Sequence, residues 1–425
     1  MIIMSYHDHV YSIRSEAITS YLAKMFSVNR LENIKQLETV QSPGYASTQY
    51  KFDVTDKNSV THSLFVKSID LEQDEKYKCF DKEVGMYTDI LPCVTNFTRT
   101  LDKPLASMFS SCFVKYHASF VDDEKKHGFL ILDDIRCSEE EYSYRNEPEV
   151  IVAKLGLVNG CIFSWAHSLY ANTDPFEVLK AREYLTEFFT SDKSDSSREF
   201  FATFTSAIYK IIVCTETLSV ESKSKLDRIL KVSPLLRKLR HRTQEPRKEF
   251  YCPTLGDVHH GNVAVSRDLN TVLFYDFGNI RLSSPLIDFH HFTAGSLAGT
   301  QQRNTVEVLF EIYAESFTTT CEKLGNIIPI ESLESEFHVT KNWQTITRYF
   351  VVLLTLMFQR VSRNEEQGFV RRINSFDIEK DRNAVCCEFE KFGNPAKKLK
   401  SMVLDFLKEI TIEDIESLET GTATF

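Results

Sequence analysis

Asp257 and Asn262 lie five positions apart in the run Leu255-Gly256-Asp257-Val258-His259-His260-Gly261-Asn262, and Asp276 opens the triplet Asp276-Phe277-Gly278 soon after. A carboxylate and a carboxamide on one tight loop can pair a base with a metal ligand, at the spacing found in kinase catalytic loops. A carboxylate at the end of a strand, followed by a flexible glycine, can reach a cation that bridges two phosphates. Far upstream, Lys67 follows the apolar run Leu64 to Val66, and Glu83 sits in the next helical segment. A lysine so placed can clamp phosphate oxygens while a glutamate holds it. Singly, each residue has a bland reading: an edge lysine, a solvated glutamate, a chance Asp-x-x-x-x-Asn. In this order, on these element types, they supply what phosphoryl transfer needs: a cation on the phosphates, its carboxylate partner, a base near an attacking hydroxyl, and oxygen ligands for Mg²⁺.

The elements that must position these groups follow from periodicity. Residues 5 to 36 predict a leading helical segment, with Ile18, Leu22, Met25 and Phe26 at helical spacing. Alternating Tyr50, Phe52 and Val54, a turn at Asp56 to Asn58, and Leu64 to Val66 predict a hairpin. Acidic Glu72 to Glu75 opens a helix through Phe80, Val84 and Tyr87, with Pro92 as its expected end. Strands are expected at Met108 to Tyr116, continuing to Val121, and at Phe129 to Leu132. Beyond Pro148, apolar residues from Ile151 to Leu169 alternate steps of four and three, the pattern of a buried helix. Helical patterns continue to residue 232, apart from a Ser-rich, charged loop at Ser191 to Arg198, and return from Thr305 to Leu407. The expectation is an α+β chain: a helical cap at 1–36, a small β-rich lobe with one main helix at 37–134, a large helical lobe at 135–418 and a tail at 419–425.

Composition narrows the function classes. The 425 residues carry a net charge of −10, which argues against a nucleic-acid surface. The one basic stretch, Arg237 to Lys248, is broken by Pro246 and reads as a solvated connector. No run approaches the roughly 20 apolar residues of a membrane span and no signal peptide is visible, so a cytoplasmic protein with no membrane partner is expected. The ten cysteines include no C-x-x-C pair, which points to reduced thiols. His290 and His291 are adjacent and cannot face one ion from a helix, so packing is the expected role of both. His259 reads as a structural residue of its loop, with a place in the hydroxyl pocket as the alternative. Trp165 and His167 read as core and boundary residues.

The stretch from Gly256 to Asn262 resembles the catalytic loop of aminoglycoside phosphotransferases and choline kinases. The longer pattern from Leu273-Phe274-Tyr275-Asp276-Phe277-Gly278 through Ser284-Pro285-Leu286-Ile287-Asp288 is most similar to the ecdysteroid kinase-like branch. Gly44-Tyr45-Ala46-Ser47 resembles its nucleotide loop, Phe80 to Tyr87 its inserted helix, and Phe129 to Ile135 its interlobe hinge. The resemblance implies a protein-kinase-like bilobal fold with ATP between the lobes. It implies Asp257 as catalytic base, Asn262 and Asp276 as Mg²⁺ ligands, and Lys67 as phosphate clamp held by Glu83. Gly44 and Ser47 would contact the nucleotide, and the backbone of Asp133 and Ile135 would meet adenine. Asp288 would brace the catalytic loop. Leu255 stands where the family usually has histidine, and Gly44 is the only glycine of its loop.

The expected activity is ATP- and Mg²⁺-dependent phosphorylation of a hydroxyl on a small molecule, a steroid or other hydrophobic alcohol, or a cationic acceptor of choline or aminoglycoside type. The alternative from another class is a pseudokinase that binds nucleotide or ligand without turnover, which Leu255 and the sparse glycine loop suggest and the complete set of acidic and amide residues opposes. A protein kinase fits poorly, because Asp276 to Asp288 is too short for an activation segment.

Overall fold

The computed structural model describes residues 6–28, 31–41, 47–74, 78–122, 126–135, 142–143, 147–169, 181–185, 209–231, 248–296, 302–340 and 372–391, with a few single positions besides. Its first half is built on five antiparallel strands: β1 (Ile34–Gln41), β2 (Ser47–Thr55), β3 (Thr61–Asp70), β4 (Tyr116–Asp122) and β5 (His127–Asp133), in the order β1-β2-β3-β5-β4. The expected hairpin is β2–β3, with Val54 opposite His62 and Tyr50 opposite Val66. Asp56 closes its turn by accepting the N–H groups of Asn58 and Val60 at 2.8 and 3.0 Å.

Because strand side chains alternate, the two faces of this sheet have different partners. Tyr50, Phe52, Val54, Leu64, Val66, Phe129 and Ile131 pack against Ile18 and Leu22 of helix α1 (Tyr6–Met25). The opposite face carries Phe65, Leu130 and Leu132 into the main core, and Lys67 lies on that inner face. The leading helix is therefore the cover of the sheet's outer side. It ends earlier than expected, and the β-branched start of β1 at Ile34 falls inside the segment read as helical.

Between β3 and β4 the chain makes a one-turn helix α2 (Leu71–Asp74), α3 (Cys79–Gly85), a π turn (Met86–Ile90), α4 (Leu91–Leu101) and α5 (Lys103–Ser110). Two expectations are corrected here. Pro92 does not end the helix: it occupies the first turn of α4, where its missing N–H is an orphan donor in any case. The π turn before it lets the chain continue without a break. The strand expected at Met108 to Tyr116 begins only at Tyr116: Met108 to Ser110 is helical, because Asp102 caps α5 by accepting the Leu105 N–H at 2.9 Å and Pro104 follows in the first turn, and a turn and connector lead from there to β4.

The second half is centred on α6 (Pro148–Ser168), followed by α7 (Val220–Lys231), α8 (Leu286–Ser296), α9 (Gln302–Lys323) and α10 (Arg382–Glu390). Short strands β6 (Tyr142–Ser143), β8 (Val263–Ser266) and β9 (Val272–Phe274) form one small sheet, and β7 (Cys252–Thr254) pairs with β10 (Arg281–Ser283). These two sheets frame the loop that bears Asp257. By length and composition α6 could cross a bilayer, but it is buried and lies at the centre of the main core. The expected helices around Trp343 and Phe358, and the loop at 191–198, fall outside the described residues.

Two glycines set the approach of α6 to α9. A Cβ at Gly156 would lie 2.6 Å from the Tyr313 carbonyl oxygen, and one at Gly160 would lie 2.9 Å from Thr320 Cβ. Across the same contact Ser316 donates to the Ala153 carbonyl at 2.6 Å and Asn159 to the Tyr313 hydroxyl at 3.2 Å, while Asn159 also donates to the Pro285 carbonyl, just before α8, at 3.1 Å. Gly156→Val therefore forces the helices apart. It is expected to cost about 1–3 kcal/mol, the usual range for overpacking, seen as a lower urea midpoint at unchanged slope.

Candidate functional site

The inner face of β3 delivers Lys67, and α3 delivers Glu83. The helix is fixed at its start by Asp74, whose carboxylate accepts the N–H groups of Cys79 and Phe80 at 3.0 and 2.8 Å. Glu83 is 1% exposed. Lys67 Nζ donates to Glu83 Oε2 and to Asp276 Oδ1, both at 2.8 Å. Three of the expected residues, remote in sequence, thus meet at one ammonium. Burial pulls the Lys67 pKa down, but the Asp276 and Glu83 carboxylates more than reverse this and hold it above the ordinary lysine range. Glu83 is pushed up by burial and by the Asp276 charge, against the pull of Lys67. The raised lysine keeps the cluster's cation in place at neutral pH.

Asp276 has φ +64°, a left-handed conformation uncommon outside glycine, which aspartate tolerates better than most side chains. Such strain persists only where the surroundings enforce it, and it concentrates at functional positions. The enforcing contacts are aromatic. Phe277, next in sequence, is 1% exposed, with its ring 5.3 Å from Tyr87 and 5.9 Å from Phe113, both edge-on. Tyr87 stacks on Tyr116 at 5.4 Å. This column joins the π turn, β4 and the Asp-Phe-Gly segment. Gly278 passes so close to α3 that a Cβ there would be 3.2 Å from Cys79 Cβ.

The loop of Asp257 is anchored from below by Asp288, which is fully buried in α8. Its carboxylate accepts the Leu255 and Gly256 N–H groups at 2.8 Å each. Burial raises the Asp288 pKa, while these two donors oppose the rise. Gly256 has φ +89°, and a Cβ there would sit 2.0 Å from the Asn279 carbonyl oxygen, so only glycine fits. Leu255 is 1% exposed and part of the main core. Asn262 donates from Nδ2 to the Asp257 carbonyl at 3.0 Å, and its own carbonyl accepts the Tyr275 N–H at 3.2 Å. That backbone bond ties the Asp257 loop to the residue preceding Asp276.

Asp257 Oδ2 accepts from Asn279 Nδ2 at 3.3 Å. Its Oδ1 lies 3.1 Å from His291 Nε2 and 4.0 Å from His259 Nε2. Burial pushes the Asp257 carboxyl up, but His291, His259 and Asn279 outweigh it and hold the group well below the usual carboxylate range. Burial also lowers the His259 pKa. His259 Nδ1 accepts the Gly261 N–H at 3.0 Å, which assigns its proton to Nε2 on the side of Asp257.

The remaining expected residues are placed less centrally. Ser47 begins β2 opposite Ile69, and Gly44 lies outside the described residues. Asp133 ends β5, with its N–H on the Lys115 carbonyl at 3.0 Å and its carboxylate 2.5 Å from His117 Nε2. Ile135 packs against the main core just beyond.

Two groups escaped the sequence reading. His290 does pack as expected, buried with Nε2 2.9 Å from Thr340 Oγ1. His291 instead faces Asp257. Its spacing of three from Asp288 puts both on one side of α8, and that signal was present in the sequence. The other group is Asp89 in the π turn, which accepts from Arg182 Nε at 2.7 Å and from the Tyr184 hydroxyl at 2.6 Å. Arg182 also lies 5.6 Å over the Trp165 ring. Nothing in the spacing announces a partner that far along the chain.

Asn262 and Asp276 offer hard oxygens, and Asp276 is about half exposed. Among the described residues no group of three or more His, Cys, Asp and Glu side chains could enclose a metal. That donor set fits Mg²⁺, which takes one or two carboxylates and completes its shell with water and phosphate, and does not fit a zinc cage.

Residues 43–326 match the model of the ecdysteroid kinase-like family. No curated protein matches the sequence. Similar solved structures include an amicoumacin kinase in complex with AMP-PNP and Ca²⁺ (12% identity, TM-score 0.45, covering 89% of this chain and 96% of that one). An ethanolamine kinase from Plasmodium vivax is similar at 13% identity and TM-score 0.45, covering 90% and 91%. A choline/ethanolamine kinase family protein from Mesorhizobium loti follows at 10% identity and TM-score 0.33, covering 93% and 99%.

Removing the shared cation tests the electrostatic account. In Lys67→Met, Glu83 keeps its burial and the nearby Asp276 charge but loses its counter-ion, so its pKa rises further above the unfolded value of about 4.3. The native state then binds more protons than the unfolded one, and stability falls as pH rises through that interval. Urea unfolding should show a deficit against wild type of roughly 3–5 kcal/mol at pH 8 and a clearly smaller one at pH 5. An equal deficit at both pH values would rule the account out.

Proposed function

Because the chain belongs to the ecdysteroid kinase-like family, we propose that it is a small-molecule kinase that transfers the γ-phosphoryl group of ATP to an alcohol. The observation that carries this reading is the meeting of Lys67 with Glu83 and Asp276 at 2.8 Å, on the inner face of the sheet. In the proposed roles Lys67 contacts the α- and β-phosphates and Glu83 holds it in position. Asn262 and Asp276 would hold Mg²⁺, which when bound neutralises charge on the β- and γ-phosphates. Asp257 orients the acceptor hydroxyl and takes its proton as the oxygen bonds to phosphorus. In the same proposed roles Ser47 and Gly44 would contact the nucleotide, and adenine would meet the backbone at Asp133 and Ile135.

Asp133's N–H is already committed to Lys115, so its contribution to adenine would come from its carbonyl. Leu255, in place of the family's usual histidine, keeps its backbone N–H on Asp288 and its side chain in the core, which supports an intact loop. A non-catalytic role is disfavoured by the retention of Asp257, Asn262 and Asp276 together with Lys67 and Glu83, the full set that phosphoryl transfer needs. A peptide acceptor is disfavoured too, since β10 and α8 follow Gly278 almost at once. The acceptor is read as a small alcohol. A hydrophobic one, of steroid type, follows from the family resemblance, and a cationic one is the variant to screen beside it.

The first test needs no knowledge of the acceptor. Mg-ATP at 100 times its Kd should stabilise the fold by about 2.7 kcal/mol, read as a magnesium-dependent thermal shift accompanied by slow ATP hydrolysis. Asp257→Asn and Asp276→Ala should abolish turnover while remaining folded. No shift with Mg-ATP would count against the nucleotide site, and substantial turnover in either variant would overturn these assignments.

A further inference from the structure

Asp257 is the proposed base, yet nothing on its own loop fixes the direction of its carboxylate. Its carboxylate contacts come from elsewhere: Asn279 Nδ2 at 3.3 Å on Oδ2, and His291 Nε2 at 3.1 Å on Oδ1. The His259 ring, on the loop itself, stands back at 4.0 Å. His291 is 12% exposed and belongs to α8, the same helix whose Asp288 holds the Leu255 and Gly256 amides. One rigid helix thus grips the loop twice, once at its backbone and once at its working side chain.

We propose that His291 is a positioning residue that, with Asn279 on the other oxygen, sets the orientation of Asp257 through Nε2–H, so that the second lone pair of Oδ2 meets the acceptor hydroxyl. This rests on the kinase reading given above. The tautomer follows from what surrounds the ring. Among the described residues His291 Nδ1 is buried with no hydrogen-bond partner, so a proton there would be an orphaned donor. A proton on Nε2 faces a carboxylate instead. Nε2 lies within distance of Oδ1 but off the hydrogen-bond line, the loose geometry often found before a substrate draws catalytic groups into register.

The consequence for the reaction is stereochemical. With Oδ1 turned to His291, the acceptor O–H points to Oδ2. As its oxygen forms the bond to the γ-phosphorus, the bond to ADP breaks with its electron pair left on ADP, and the proton passes to Oδ2. His291 neither gains nor loses a proton in that step. The charged and titratable groups around the pair are His259 and His260 on the loop, Asp276 across it, and Asp288 and Arg281 beneath it.

The test compares His291→Phe, which keeps a flat aromatic ring but has no N–H, with His291→Gln, whose amide can place a donor near the position of Nε2. In slow Mg-ATP hydrolysis, His291→Phe should lower kcat by at least about tenfold, within the range of a displaced general base, with KM for ATP unchanged within twofold. His291→Gln should recover most of that loss. A purely packing role predicts the reverse order, with Phe benign and Gln harmful. Independently of turnover, long-range ¹H–¹⁵N spectra should show His291 as the Nε2–H tautomer, with a proton resonance displaced by Asp257→Asn. An Nδ1–H tautomer, or a His291 signal indifferent to Asp257→Asn, would overturn the proposal even if the kinase reading holds. Failure of Mg-ATP to bind wild type would overturn the kinase reading and leave the spectra to decide the pairing.

Discussion

The site depends on one buried cation. Lys67 is aimed inward by the alternation of β3, and two carboxylates from distant segments converge on it. A buried carboxylate resists ionisation and is repelled by a second one nearby, so the buried Glu83 and the half-exposed Asp276 are held together by the ammonium between them. That requirement propagates outward. The outer face of β3 must be covered, and α1 covers it. Helix α3 must stand where Glu83 reaches the sheet, and Asp74 pins its first turn. Asp276 must turn back toward Lys67, and the left-handed φ together with the Phe277–Tyr87–Tyr116 column keeps it there.

The second requirement is mechanical. A loop carrying a base and a ligand must be stiff while presenting both side chains, and its stiffness comes from backbone contacts. Asp288 takes two amides, Arg281 donates to the Gly256 carbonyl at 3.5 Å, and Tyr275 ties Asn262 to the strand before Asp276. This explains why leucine at position 255 is compatible with an ordered loop. What that residue contributes through its backbone is independent of its side chain, and the apolar side chain fills core volume.

Much of this was legible in the sequence because the signals were local. Lys67 ends an apolar run, the Asp257 to Asn262 spacing is contained in one loop, and Asp276 is marked by its neighbours Phe277 and Gly278. The α6 periodicity gave its helix to within a residue or two. What failed did so for identifiable reasons. Pro92 signals a terminator because an α-helix interior rejects proline, whereas a π turn resets the ladder so that proline falls in a first turn. Met108 to Ser110 resembles strand because its apolar residues run on toward those of β4, and the Asp102 cap outweighs that continuity. His291 is masked by its adjacent twin His290, and the informative interval is its distance to Asp288. The Asp89–Arg182–Tyr184 group joins segments that no local pattern links.

The π turn has an angular consequence. It holds one more residue than an α-helical turn, and each residue advances a helix by about 100°. Glu83 lies before it, while Leu91 and Val94, both buried in the main core, lie after it. Loss of a single residue between Met86 and Ile90 would turn the later part of the rod about 100° against the earlier. Either Glu83 would swing away from Lys67, or Leu91 and Val94 would swing out of the core. An insertion in a surface loop can be absorbed where it falls. Here residue number itself is the specification, and a change in length cannot be repaired by any substitution at a single position.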